Sequence, residues 1–298
     1  MPTIDLSQLP QPAIIESLDY EVILAQTKTF MISVFPEAMR DEVAAALELE
    51  SEPLNIIAQA MAWRELLLRQ RINDGAAACM LSHSSGSDLD NLGANMNVQR
   101  LVITEATETT PAVMESDAAF RMRIKSAFEG MSVAGPSGSY EYFARSASGK
   151  VADARATSPA PAEVVVALLS ADGDGTANEA LINEVKAVLN DETVRPVADR
   201  LTVKSAEIIS YKIDATLYFY PGPESEPILQ AARAQLEAWL AEQRRIGRDV
   251  ARSAIMAALH VPGVQRVELT QPAKDLVISE TQAARCSATE IRAGGTDE

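Results

Sequence analysis

The residues best suited to acid–base or nucleophilic chemistry are the two histidines, His83 and His260. A serine nucleophile needs a histidine beside it and an acid that orients that histidine. His83 is followed by Ser84 and Ser85, but neighbours in sequence do not face one another as this site requires, and the chain has no G-x-S-x-G turn. His260 ends a predicted helix, where a partial positive charge is favourable. We therefore predict no catalytic residues and no enzymatic activity.

A zinc site is the chemistry that Cys79 and His83 suggest, because they are four residues apart and could share one helix face. A closed zinc site needs two further ligands at comparable spacing. Only Asp88 and Asp90 lie near enough in sequence to be considered, and neither completes a known spacing. We interpret Cys79 as a buried thiol and His83 as a loop residue, and we predict no metal.

The segment 172–175, Asp-Gly-Asp-Gly, begins like a calcium-binding loop. Such a loop needs glycine at its sixth position and glutamate at its twelfth, and these positions are Ala177 and Asn183 here. A turn between a strand and a helix explains the segment better, with Thr176 or Asn178 as the helix cap. We expect no cofactor of any kind.

The charge of the chain argues against nucleic acids and anionic membranes as partners. There are 42 acidic and 26 basic residues, for a formal net charge of −16, which repels phosphate groups. The aromatic cluster 218–220 could stack on RNA bases, but the accompanying basic residues are missing. The longest apolar run, Val164–Leu169, is far shorter than the ~20 residues of a membrane span. We predict no direct nucleic-acid binding and no membrane insertion.

The clearest helix begins after Ser51, a plausible N-cap, and continues to about Cys79. Its apolar residues recur at three, four or seven positions and form two adjacent stripes. Together the stripes make a face wider than a surface helix needs. The face is either buried in its own domain or packed against another chain, and both require the same pattern. The candidate interface residues on this helix are Leu54, Ile57, Met61, Trp63, Leu67, Leu68 and Ile72.

A second helix is predicted over residues 116–129, with Phe120, Ile124 and Phe128 spaced by four, and these three join the candidate interface. We predict a helical N-terminal assembly region over residues 1–130. Glycine and proline are frequent in the next segment, which ends in the proline-containing stretch 156–161. Residues 131–161 are therefore predicted to be a loop and linker region.

Residues 162–282 alternate between strand and helix patterns, and we predict an α+β domain there. The predicted helices contain residues 181–189, 225–239 and 249–259, and the predicted strands are 164–169, 201–207, 211–219 and 264–269. The order βαββαβ is typical of a ferredoxin-like domain. The predicted fold class is therefore α+β, an N-terminal helical region followed by a ferredoxin-like βαββαβ C-terminal domain. The polar residues 283–298 are predicted to be a flexible tail.

A series of short motifs in this order resembles the baseplate J-like proteins of contractile-tailed phages and phage-tail bacteriocins. Each motif is weakly specific alone, whereas the ordered series spans about residues 4 to 270. The matching segments are Glu50–Pro53, Trp63–Glu65, Leu68–Asn73, Gly86–Leu92, Glu115–Ile124, Gly135-Pro136 with Tyr140, Val151–Ala154, Asp172–Thr176 and Val194–Asp199.

The resemblance implies a structural wedge protein without catalytic residues. Members of the family pair with a second copy of themselves and with a different wedge protein. The wedges join around a central hub into a six-fold ring to which sheath and tail fibres attach. We accordingly expect the chain in the bacterial host cytoplasm during assembly and in the baseplate of the finished tail. The alternative is a non-enzymatic ligand-binding or regulatory protein that uses its ferredoxin-like domain.

Overall fold

The computed structural model describes residue 9 and residues 12–132, 134–222 and 225–296. The chain forms two compact units, Met1–Gln99 and Arg100–Glu298. Helices dominate the described part of the first unit and both three-stranded sheets lie in the second, so the predicted α+β class is confirmed. Residues 1–8, 10 and 11 of the predicted assembly region, residue 133 of the predicted linker, residues 223 and 224 of the predicted domain, and residues 297 and 298 of the predicted tail lie outside the described residues.

The first unit packs three of its four described α-helices around a small core. Its helices are α1 (Tyr20–Val34), α2 (Arg40–Leu47), α3 (Pro53–Ala78) and α4 (Gly86–Asn95), with a short 3-10 helix at Glu37–Met39. Asp19 caps α1, because its carboxylate accepts hydrogen bonds from the N–H groups of Glu21 and Val22. The core contains Val43 and Leu47 of α2 and Ala58 of α3, with half-buried side chains from α1 around them.

The second unit begins with a small hairpin and two helices, and then forms its first sheet. These elements are β1 (Val102–Thr104), β2 (Val113–Met114), α5 (Asp117–Gly130), α6 (Ser137–Ala147), β3 (Val151–Thr157), β4 (Glu163–Ser170), α7 (Glu179–Leu189) and β5 (Arg200–Ser205). The strand order is β3-β4-β5, with β3 antiparallel and β5 parallel to β4. Buried side chains of α6 and α7 pack on this sheet.

The second sheet is formed by the rest of the chain. Its elements are β6 (Glu207–Phe219), α8 (Ser225–Gln243), α9 (Arg252–Leu259), β7 (Val264–Gln271) and β8 (Gln282–Thr296). The strand order is β7-β6-β8, and β6 runs antiparallel to β7 but parallel to β8. The alternate residues Ile213, Ala215, Leu217 and Phe219 of β6 point into a core that α8 and α9 share.

The prediction of a ferredoxin-like sheet is wrong, although the structure contains the predicted helices and strands. In that fold the four strands share one sheet, whereas here β4 and β5 belong to one sheet and β6 and β7 to another. The chain passes from the first sheet to the second at Ala206, which is buried and follows directly on β5. Hydrophobic alternation indicates which residues form a strand but does not specify the strand's partners.

Two segments predicted to lack regular structure supply the third strand of each sheet. Residues 131–161 contain α6 and β3, so the stretch 158–162 is a tight connection between β3 and β4. The predicted flexible tail forms β8, whose residues up to Thr296 pair with β6. Both strands are rich in alanine and polar residues, which are poor indicators of strand in sequence.

Candidate interaction surface

The inner face of α3 is made of small side chains. Ala58 and Ala62 are fully buried, and Asn55 and Asn73 are almost so. This face packs against α1 and α2. Small residues allow neighbouring helices to approach closely, so α3 buries its narrow face within its own unit.

Polar contacts fix the segment before α1 to the second half of α3. The Asn73 amide oxygen accepts a hydrogen bond from the N–H of Glu16 at 3.1 Å, and its nitrogen donates to the carbonyl of Glu16 at 2.9 Å. Arg69 donates to the Glu65 carboxylate at 2.6 Å and to the Glu16 carboxylate at 3.3 Å. These contacts fix the position of the segment before α1 along α3. The side of α3 that carries Asn73 therefore faces inward, and the opposite side faces outward.

The outer face of α3 carries its large apolar side chains. Seven of them are between 47% and 64% exposed, namely Ile56, Ile57, Met61, Trp63, Leu67, Leu68 and Ile72. Positioned at 100° per residue, they form two stripes on either side of Arg64 and Arg71. Exposed apolar patches are a feature of protein–protein and ligand-binding sites. We call it the α3 outer face.

The structure places the predicted interface residues in three different environments. Six of the seven predicted on α3 lie on the α3 outer face, but Leu54 is half-buried against the core of the first unit. Phe120 and Ile124 are buried within the second unit, so they cannot contact another chain. The guanidinium carbons of Arg100 and Arg123 lie 4.7 and 5.6 Å from the centroid of the Phe120 ring. Phe128 is exposed on α5.

Sequence reasoning missed an exposed face of α1. Ala25, Thr29 and Ser33 recur every four positions along this face, beside Val22 and Phe30. Val22 and Phe30 are more than half exposed. The spacing of small residues was the available signal, but by itself it does not indicate whether a helix face is covered.

The residues first considered for zinc or calcium binding have the following surroundings in the structure. His83 shares a hydrogen bond of 2.7 Å with the neighbouring Ser82 hydroxyl, Cys79 is exposed, and no three potential ligands cluster among the described residues. Asp174 accepts a hydrogen bond from the Thr176 N–H, which lowers the pKa of its carboxyl. Asn178 caps α7, so the segment is the predicted turn.

Within the described ranges, every helix is either too short or too polar to cross a bilayer.

Comparison with known proteins gave matches along the whole chain. Residues 50–107 match the Baseplate J-like N-terminal domain, residues 132–205 the Baseplate J-like central domain, and residues 211–292 the Baseplate J-like protein C-terminal domain. The central match begins just before α6 and ends with the last residue of β5. The C-terminal match begins within β6 and ends within β8. The family models therefore separate the two sheets as the structure does.

Individual proteins also resemble the chain. Baseplate protein J of Escherichia phage P2 is 54% identical over 302 residues, covering 100% of both sequences. A chain in the six-fold symmetrised cryo-EM structure of the anti-feeding prophage baseplate is 15% identical, with a TM-score of 0.41 over 62% of this chain and 47% of that one. That score is too low to establish a common fold. The domain matches and the full-length phage relative show that this chain belongs to the baseplate J-like protein family.

Proposed function

We propose that the chain is a structural wedge protein of a contractile-tail baseplate. It assembles with a second copy and with a different wedge protein into a six-fold ring, first in the cytoplasm of the bacterial host and then in the finished tail. The name of the phage P2 relative supports a baseplate role. The alternative of a small-molecule-binding protein loses its basis, because it depended on a ferredoxin-like sheet.

The observation that carries this proposal is the α3 outer face. Burying one large apolar side chain completely contributes about 1.5–3 kcal/mol, so burying the exposed half of seven such residues contributes on the order of 5–10 kcal/mol. Association costs several kcal/mol in lost freedom of motion. The available gain is therefore large enough to support binding to another protein.

The test replaces Leu68 and Ile72 with serine in the full-length chain. Both side chains are more than 60% exposed, so the double variant is expected to keep the unfolding midpoint of the wild type. It is expected to lose co-purification with neighbouring tail proteins and to reduce complementation of a tail lacking this chain at least about tenfold. Val197→Ser with Val277→Ser, two exposed changes in the second unit, is the matched control. Normal particle assembly by the α3 variant would refute the proposal.

A further inference from the structure

Arg64 and Arg71 are the basic residues of the first unit that have no partner among the described residues. The unit contains 14 acidic and 5 basic residues in sequence. The other three basic side chains are all bound: Lys28 to the Leu47 carbonyl, Arg40 to the carbonyls of Phe35 and Ser33, and Arg69 to two carboxylates. These two guanidinium groups lie within an apolar surface, so carboxylates of another chain could pair with them there.

The two arginines have a defined spacing. They are seven residues apart on one helix, so they lie on the same side of α3 and about 10.5 Å apart along its axis. Both are exposed, and the two apolar stripes flank them. A partner that satisfies both must present two carboxylates at the same separation with small or apolar residues between them.

Such a pair occurs on α2 of the same chain. Asp41 and Glu48 are also seven residues apart, both exposed, and neither has a side-chain partner among the described residues. Glu48 continues the helical geometry of α2, with φ −82° and ψ −16°, so the separation along the axis is again about 10.5 Å. Ala45 lies exposed between the carboxylates, and Leu49 is 59% exposed at the end of the helix. The outer face of α2 therefore matches the α3 outer face in charge, spacing and apolar character.

From this match we infer that α2 of one copy docks on α3 of a second copy, so that Asp41 and Glu48 pair with Arg64 and Arg71. The inference rests on the proposed function and specifies the contact that joins two copies of the chain. In a two-fold dimer the contact occurs twice, since each copy contributes both surfaces. The apolar stripes supply most of the affinity, whereas the charged pairs select the partner and fix its position.

Charge reversal in the full-length chain tests the contact. Variant X carries Arg64→Glu and Arg71→Glu, and variant Y carries Asp41→Lys and Glu48→Lys. In X alone and in Y alone, like charges face one another, so sedimentation should give dimer dissociation constants at least about tenfold above the wild type. A one-to-one mixture restores opposite charges at both contacts and should form the X–Y dimer at wild-type concentrations. All four changes in one chain should likewise restore the dimer.

The control for charge alone is Glu21→Lys with Glu37→Lys, which changes the net charge as Y does but lies outside α2; it should leave the dimer intact. Equal unfolding midpoints of X, Y and wild type show that the variants fold. A monomeric wild type, a variant X that dimerises normally, or a mixture that fails to dimerise overturns the inference. If X instead remains dimeric but loses a different tail protein, the α3 outer face binds that protein. The baseplate role survives each of these results, because the Leu68 and Ile72 variant tests it separately. A monomeric wild type would, in addition, remove the second copy from the proposed function.

Discussion

The ion pair between Glu115 and Arg123 is the most deeply buried charged contact described in the second unit. Both side chains are 7% exposed. Arg123 donates two hydrogen bonds to the carboxylate, from Nε at 2.9 Å and from Nη2 at 2.7 Å. The same carboxylate accepts a bond of 3.2 Å from the Leu101 N–H. The pair thus connects the middle of α5 to the residue that precedes β1. The cost of removing both charges from water is offset only while they remain together.

Replacing Arg123 with methionine is expected to destabilise the chain by about 3–5 kcal/mol, because Glu115 is then buried without its counter-charge. Denaturant unfolding of the full-length chain measures this loss. The double variant Glu115→Gln with Arg123→Met should lose less than the sum of the two single variants. Additive losses would show that the two side chains do not depend on each other.

Glu141 should make the stability of the chain depend on pH. Burial raises the pKa of its carboxyl, while the Ala156 N–H and the charges of Arg145 and Arg155 oppose the shift and Asp153 adds to it. A carboxyl whose pKa is higher in the folded state binds more protons there, so its contribution to stability falls as the pH rises above the unfolded value of about 4.3.

The variant Glu141→Gln removes this titration and should gain stability relative to the wild type as the pH rises from about 4 to 7. Urea unfolding of both proteins at several pH values gives the difference. A difference that stays constant across this range, or one that moves in the opposite direction, would show that the folded-state pKa is not raised.

Residue patterns predicted some of these contacts but not others. Asn178 was one of the two caps predicted for α7, because a short polar side chain before an apolar periodic stretch is a local signal. Arg123 gave no such signal. It lies between Phe120 and Ile124 as an ordinary polar residue would, and its partner Glu115 belongs to a segment outside the helix.

At the scale of elements, α3 is a helix with small residues inside and large residues outside. Ala62 is fully buried against the other helices of the first unit, whereas Ala60, two residues earlier, is exposed. A larger side chain on the alanine face should therefore lower the free energy of unfolding of the unit, whereas the same change on the opposite face should not.

Ala62→Leu is expected to destabilise the first unit by about 1–3 kcal/mol, because the added atoms have no space between the packed helices. Ala60→Leu places the same atoms in solvent and should change stability by less than about 0.5 kcal/mol. Urea unfolding followed by Trp63 fluorescence compares the two. Equal effects at both positions would contradict the assignment of inner and outer faces.

This arrangement explains why the sequence could predict the α3 helix but not the use of its faces. An apolar stripe is equally consistent with a core and with an interface. The alanines of the inner face do not indicate in the sequence whether they are buried or exposed. The same ambiguity placed Phe120 and Ile124 on the surface, although α5 buries them. For the strands, period-two alternation identified β6 and β7. In contrast, β3 and β8, which contain few large apolar residues, were predicted to be loop and tail.

For the whole molecule, the two units differ in the size of their cores. The described part of the second unit includes several clusters of buried side chains, one of which extends across β6, β7, α8 and α9. In the first unit, the cluster around Val43, Leu47 and Ala58 is small and is completed by half-buried residues. A small core gives marginal stability, so the first unit should gain much of its stability from the partner that covers the α3 outer face.

The chain has two tryptophans, Trp63 in the first unit and Trp239 in the second, so single-tryptophan variants can follow each unit separately. In Trp239→Phe, the Trp63 signal should change at the lower urea concentration, and its midpoint should rise with protein concentration because unfolding releases the second copy. In Trp63→Phe, the Trp239 midpoint should be higher and should not vary with concentration, since the cores of the second unit are complete within one chain. Coincident midpoints that are independent of concentration would mean that the first unit is stable without a partner, and that its exposed apolar face contributes nothing to its folding.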